Sequence, residues 1–349
     1  MVKATQLHVL SVIVFGLSAS ALRAVSNDRP ATPGNHTFTN RFGNLDRTYT
    51  VHVPPSYDGK TSMPAVVMLH GGGGRSQGAA TETGWDTKAD EAGFLAVFPN
   101  ATPADPTKPG HFARNPQLWN DGSERFDHGQ NHVDDVGFLN AMLDSLLATF
   151  AVDAQRIYFT GFSNGASMAF RAGAELSCRI AAVAPVAGTC WVEPNNLQCP
   201  VPMCYIAGGE DPLNPLAGGL PKFGTGASPR IREKNKPPVH DSILKWALAL
   251  GCPETPTRVC ETNGVRTEIR SSSRDNAEVV FITVEGLGHT WAGGKSLLPE
   301  LMVGKRSDKI KATDVLWEFF RRHSQAAASP HVQPHGERAQ QTSSPEAAK

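Results

Sequence analysis

The sequence predicts an α/β fold, an open and mostly parallel sheet with helices on both faces. Three observations predict it. Short apolar runs without polar alternation recur, as in strands covered on both sides: PAVVMLH at 64–70, FLAVFPN at 94–100, IAAVAPVAG at 180–188 and EVVFITVEG at 278–286. Segments with apolar residues at helical spacing lie between them. No internal repeat and no interdomain linker interrupts the series, so one catalytic-size domain is expected over residues 25–323.

The elements follow in order. RTYTVHV at 47–53 alternates polar and apolar residues, as an edge or antiparallel strand would. The runs at 64–70 and 94–100 read as central strands. Leu139, Met142, Leu143, Leu146 and Phe150 recur at helical spacing within 134–150. RIYFTG at 156–161 is a short strand, and SMAFRAGAEL behind it is helical. Strands follow at 180–188, 202–208 (PMCYIAG) and 278–286. Ile243, Trp246, Ala247 and Leu250 mark one late helix, and Val315, Leu316, Phe319 and Phe320 mark the last. The longest irregular piece, 218–238, is a loop or part of the substrate-facing surface.

The ends differ from this body. Lys3, the apolar run VLSVIVFGL and the small residues around Ala19 and Ala21 form the three-part pattern of a secretory signal, here residues 1–24. That run is shorter than the roughly 20 apolar residues that span a bilayer, and no later segment has the length, so an exported protein without a membrane span is expected. Residues 324–349 are rich in Ala, Ser, Pro and Gln and lack apolar periodicity, so a disordered tail is expected. Lys plus Arg and Asp plus Glu both number 33 and are scattered, which argues against nucleic acid as a partner. Six cysteines fit an oxidising compartment. Cys252 with Cys260 is the preferred pair, across a short Pro-containing loop, and Cys190 with Cys199 comes next; Cys178 and Cys204 pair or stay as buried thiols. No C-x-x-C and no His at ligand spacing supports zinc, so no metal is expected. Two glycosylation sequons begin at Asn35 and Asn100.

The pattern G-x-S-x-G, which marks a nucleophilic serine at a sharp strand-to-helix turn, occurs twice. One match is Gly74–Gly78 with Ser76, the other Gly161–Gly165 with Ser163. With 33 glycines, chance alone supplies such a match roughly once in five chains of this size, so context decides. Ser163 follows a strand directly and precedes good helix formers. Ser76 is separated from its strand by four glycines and is a loop residue or a helix N-cap. Ser163 is therefore the candidate nucleophile. The HGGGG run at 70–74 is then suited to bring a backbone N–H, that of Gly72 or a neighbour, to an oxyanion, with a second N–H from Asn164. A phosphate loop is the poorer reading, since no G-K-[ST] follows.

A carboxylate and then a histidine complete such a site. Asp211 ends the strand that begins at 202 and is preferred over its neighbour Glu210, because the D-P-L-N-P context is a turn able to aim a short carboxylate. His289 sits in GLGHTWAGG, whose glycines free the loop to place the imidazole. His240 and His323 read as surface residues of helices, and His70 as a packing or hydrogen-bonding residue. Trp119, Trp191 and Trp291 lie in loops; Trp191 and Trp291 are candidate substrate contacts, with ordinary packing the competing reading. In HGQNHVDD at 128–135, His128 and His132 with Asp134 or Asp135 form a weak metal pattern; Asp134 and Asp135 more simply supply negative charge to the next helix N-terminus.

Together HGGGG, VDDVGFL, GFSNGASMAF, AAVAPVAGT, the strand ending at Asp211, and GLGHTWAGG resemble the secreted esterase family that includes polyhydroxybutyrate depolymerase-like and feruloyl esterase-like enzymes. The resemblance runs from about residue 47 to 323 and presents six motifs in the family's order. It implies an α/β-hydrolase fold, a Ser163–His289–Asp211 triad and ester hydrolysis without a cofactor. The implied substrates are plant cell-wall phenolic esters or hydroxyalkanoate esters. One departure stands out: AGGED precedes the acid where the family has an H-G-[ST]-x-D-like pattern. No carbohydrate- or polymer-binding module is expected within this sequence. The competing functions are a serine peptidase of the same fold and a hydrolase-like binding protein without activity.

Overall fold

The computed structural model describes residues 32–125, 130–195, 197–222, 234–273 and 277–325. The signal reading at 1–24, His128 and nearly all of the expected tail lie outside these residues. Gln325 falls inside the expected tail but is held: its amide donates to the Gln155 carbonyl, and its side chain to those of Ser177 and Ile180.

The sheet among the described residues runs β1 (Gly34–Phe42), β2 (Leu45–Val53), β4 (Leu95–Pro99), β3 (Met63–Leu69), β7 (Val152–Phe162), β8 (Ala182–Val186), β9 (Met203–Gly208), β12 (Glu278–Val284), β11 (Val265–Ser271) and β10 (Arg258–Thr262) in spatial order. From β4 to β12 every neighbouring pair is parallel. The hairpins β1–β2 and β10–β11 close the two sides antiparallel. A separate two-stranded ribbon pairs β5 (Thr102–Pro103) with β6 (Gln117–Leu118).

The continuous apolar runs are central because each of their faces meets a helical layer. On β3, Ala65, Val67 and Leu69 turn to one core and Val66 and Met68 to the other; β7, β9 and β12 split the same way. The first core takes α3 (Asp135–Thr149), α4 (Asn164–Glu175) and α5 (Val239–Ala249). The second takes α1 (Ser76–Thr83), α2 (Trp85–Ala92) and α6 (Ala312–Phe320). Asp134 starts α3 by accepting from the Gly137 N–H at 2.8 Å, and Leu139, Met142, Leu143 and Leu146 of that helix are fully buried. Each such side chain contributes about 1.5–3 kcal/mol of burial.

β2 needs only one covered face: Tyr49, Val51 and Val53 are buried and their alternates are not, as the alternation predicted. β1, β10 and β11 were not foreseen. β1 alternates, β10 is exposed throughout and β11 is mostly half-buried, so no apolar run marks them; pairing with a neighbour defines them.

The cysteine expectations need correction. Cys178 is bonded to Cys199, and Cys190, Cys204, Cys252 and Cys260 are free thiols. Cys199 leads into β9 and lies beside the short turn after α4 that carries Cys178, with Cα atoms 4.9 Å apart. Cys190 instead turns inward and donates to the Val192 carbonyl. Cys252 is buried against the Ala277 carbonyl, while Cys260 faces solvent from β10, so the Pro loop separates the two rather than joining them. His323 is likewise no surface residue: it is buried and its Nε2 lies 3.0 Å from a Glu278 carboxylate oxygen.

Candidate active site

Four parallel strands deliver the expected residues to one end of the sheet. Leu69 pairs with Gly161, so the ends of β3 and β7 are level and the glycine run lies against the turn carrying Ser163. Gly208 pairs with Val284, which puts the loops after β9 and β12 side by side. Such loops at the carboxyl ends of parallel strands are where open α/β sheets hold ligands.

Ser163 occupies the single-residue turn between β7 and α4, with φ 56° and ψ −117°. A non-glycine residue there costs about 1–3 kcal/mol, and the surrounding backbone must hold it. The flanking glycines explain how. A Cβ on Gly161 would strike the Gly165 carbonyl, and one on Gly165 would strike the carbonyls of Leu69 and His70. Strand, helix and the neighbouring strand therefore pass at backbone contact, and this passage sets the turn.

His289 joins the other two residues. Its Nε2 lies 2.8 Å from Ser163 Oγ and its Nδ1 2.7 Å from Asp211 Oδ2. This pair of distances suits the tautomer in which Nδ1–H donates to the carboxylate and Nε2 accepts from the serine hydroxyl. Asp211 is buried and its Oδ1 accepts from the N–H groups of Leu213 and Asn214 at 2.8 and 2.7 Å. Burial alone would raise this carboxyl, but the His289 charge and hydrogen bond, with the two N–H donors, hold it below the ordinary carboxylate range. Glu210 points to solvent and takes no part.

The glycine run sits where the sequence put it. A Cβ on Gly71 would come 3.6 Å from Ser163 Cβ, and one on Gly72 3.8 Å from Asn164 Cβ. The N–H groups of Gly73 and Gly74 are spent on the carbonyls of Gln117 and Gly71. His70 is fully enclosed: Nδ1 donates to the Gly71 carbonyl and Nε2 accepts from the Ala101 N–H. Burial pushes this imidazole down to about 4, so it is a neutral strut. Ser76 is the first residue of α1, one position past the Arg75 N-cap, and does not cap the helix.

The tryptophans divide. Trp291 is buried, donates to Thr313 Oγ1 at 2.9 Å and packs edge-on to Phe162, so it is a core residue and not a substrate contact. Trp119 is buried too and donates to the His70 carbonyl. Trp191 is half-buried and packs near Gly122 and Arg125. Asp135 is committed to Arg47 at 2.7 Å and to the Asn120 N–H.

Three site residues escaped the sequence reading. Asn164 was read for its backbone, yet its side chain latches the 119–121 segment: Nδ2 donates to the Trp119 carbonyl and to Asp121, and Oδ1 accepts from the Trp119 N–H. Asp121 is fully buried between Asn164 and Arg125. Asn214 supports the acid loop through Tyr205, Gly188 and Thr189. The N of the D-P-L-N-P turn was the visible signal for Asn214; nothing local marked Asp121.

Known proteins agree with this architecture. The family model described as phospholipase/carboxylesterase matches residues 57–221. NocK of Nocardia uniformis subsp. tsuyamanensis, assigned as an esterase, is 27% identical over 286 residues, covering 78% of this chain and 79% of its own. A protein of Aspergillus clavatus assigned as feruloyl esterase C is 24% identical over 323 residues, covering 89% of this chain and 97% of its own. A crystal structure of a thermostable esterase superposes with a TM-score of 0.50 at 14% identity, over 83% of this chain; the chain spans 63% of that protein's length. The likeness shows a common fold. The chain has the α/β-hydrolase fold and is similar to carboxylic ester hydrolases.

Proposed function

We propose that the protein hydrolyses carboxylic esters in two steps through an acyl-enzyme on Ser163. The observation that carries this reading is the unbroken hydrogen-bond chain from Ser163 Oγ through His289 to Asp211 at a strained strand-to-helix turn. His289 takes the serine proton as Oγ attacks the carbonyl carbon, and Asp211 orients the ring and stabilises its cation. The tetrahedral oxygen is held by two N–H groups. One is that of Asn164, which opens α4 and so has no acceptor within the helix. The other is that of Gly72, which no carbonyl occupies among the described residues. His289 then protonates the leaving alcohol, and water, deprotonated by the same ring, releases the acid. No cofactor enters any step.

The protein is exported, on the reading of residues 1–24 as a signal, and the Cys178–Cys199 bond suits an oxidising compartment. Its substrates are phenolic esters of plant cell walls or hydroxyalkanoate esters; the similarity to a feruloyl esterase supports the first, the six-motif resemblance both. Initial rates on methyl ferulate and a hydroxybutyrate trimer, for wild type and Ser163→Ala, test the proposal. Hydrolysis lost in the variant, with fluorophosphonate labelling of Ser163 alone, is the expected result. Equal rates in both proteins would sink the assignment of the nucleophile.

A further inference from the structure

Between the loops that follow β8 and β9, three cations gather beside the candidate triad. Lys236 donates to Asn214 Oδ1 at 3.0 Å, and the Asn214 N–H donates to Asp211, so this ammonium is two hydrogen bonds from the acid. Its backbone is pinned by a reciprocal pair of bonds with Gly219. Arg125 is the counterpart on the nucleophile side, because Asp121 accepts from both Arg125 and the Asn164 side chain. Lys234 donates to the Ser123 carbonyl at 2.8 Å. Trp191 joins two of them, with Lys234 5.3 Å and Arg125 5.8 Å from its ring, and its indole N–H is buried without a hydrogen-bond partner among the described residues.

Among the described residues the charges of the two lysines are not cancelled. Asp121 serves Arg125 and Asp211 serves His289, while among the described residues no carboxylate pairs with Lys234 or Lys236. Burial, then the Arg125 charge, pushes the Lys236 ammonium down to about 7, with Asp211 and Asp121 opposing. A desolvated ammonium hydrogen-bonded to a neutral amide rather than to a carboxylate is the place where an arriving anion gains most, since the pairing is charge-assisted and restores the favoured charged form.

We propose that Lys234, which lies over the Trp191 ring, and Lys236 form an anion subsite, and that the preferred substrates are esters carrying a free carboxylate a few bonds from the scissile carbonyl. The inference rests on the esterase reading of Ser163 and sharpens it. Methyl ferulate has no such carboxylate; a hydroxyalkanoate oligomer carries one at its acid end. The carboxylate can sit on either side of the cleaved bond, as in a monoester of a dicarboxylic acid or in an acylated hydroxy acid.

The test compares kcat/KM for matched pairs of esters: a succinate monoester against the butyrate ester of the same alcohol, and 3-butyryloxybutyrate against its methyl ester. The anionic member of one pair should be favoured by about tenfold or more, as a single charge-assisted contact would give, and the favoured pair shows which side of the bond the subsite serves. The ratio should collapse toward one in Lys234→Gln and Lys236→Gln, be kept in Lys236→Arg, and fall in wild type as salt is raised. Hydrolysis of the neutral esters with no anionic preference in either pair overturns the subsite while leaving the esterase reading intact. A preference untouched by both substitutions and by salt also overturns it. Wild type no faster than Ser163→Ala on any ester overturns both.

Discussion

Residues 74–78 and 161–165 share the pattern G-x-S-x-G and have different structures. In the second, the serine is alone between a strand and a helix at φ 56°, and both glycines face backbone. In the first, the serine opens α1, Gly74 closes a tight turn onto the Gly71 carbonyl, and Gly78 faces only the end of the Leu297 side chain. The difference teaches that the pattern acquires meaning from what the glycines must pass. Where backbone crosses backbone, the serine is forced outward in a strained turn. Where a glycine meets a flexible side chain, the serine is an ordinary helix residue.

The largest expected effect separates the two serines. Ser163→Ala should lower kcat/KM on the order of 10⁵-fold or more, and Ser76→Ala should leave it within about twofold. Comparable losses in the two variants would break the contrast. The neighbouring carboxylates repeat it on a smaller scale. Asp211→Asn should cost about 10⁴-fold in kcat, since it removes the partner that selects the His289 tautomer, while Glu210→Gln, in solvent, should cost no more than about threefold.

The glycines themselves should differ in stability rather than in rate. Gly165→Ala drives a Cβ into the Leu69 and His70 carbonyls and should destabilise by about 3 kcal/mol or more in urea unfolding. Gly78→Ala, inside α1 and 3.3 Å from a movable Leu297 methyl, should be neutral or stabilise by up to about 1 kcal/mol. Equal losses would mean that the two stretches are not built differently.

The smallest effect concerns the strut beneath the first stretch. His70 is neutral in the fold, with its pKa lowered to about 4 from the ordinary 6.5. Below pH about 6.5 the unfolded chain takes up a proton that the folded one refuses until pH about 4, so stability falls as pH falls through that window. The loss is at most about 3 kcal/mol. The melting temperature of His70→Gln should therefore vary less with pH between 6.5 and 4 than that of wild type. A parallel dependence in the two proteins would remove His70 as the cause.

Much of the site was legible because its signals are local. Gly161 and Gly165 stand at fixed offsets from Ser163, Asp211 heads a Pro-containing turn, and His289 lies in a glycine-bracketed loop after a strand. The central strands were legible for a similar reason: a segment buried on both faces must be apolar throughout. The antiparallel margins β1, β10 and β11 carried no such demand, so their sequences did not announce them.

The sequence by itself determined the parallel α/β core and pointed to Ser163 over Ser76 and to the candidate order of serine, acid and histidine, since each depends on chain neighbours and on what glycine allows the backbone to do. Only the tertiary structure decided that Cys178 bonds Cys199, that Trp291 is core while Trp191 meets Arg125 and Lys234, and that Asp121, Asn214 and Lys236 stand around the candidate triad. Those outcomes depend on which loops the sheet brings together. Residues such as Asn164 and Asp121, 43 positions apart, become partners only because parallel strands return every crossover to the same edge.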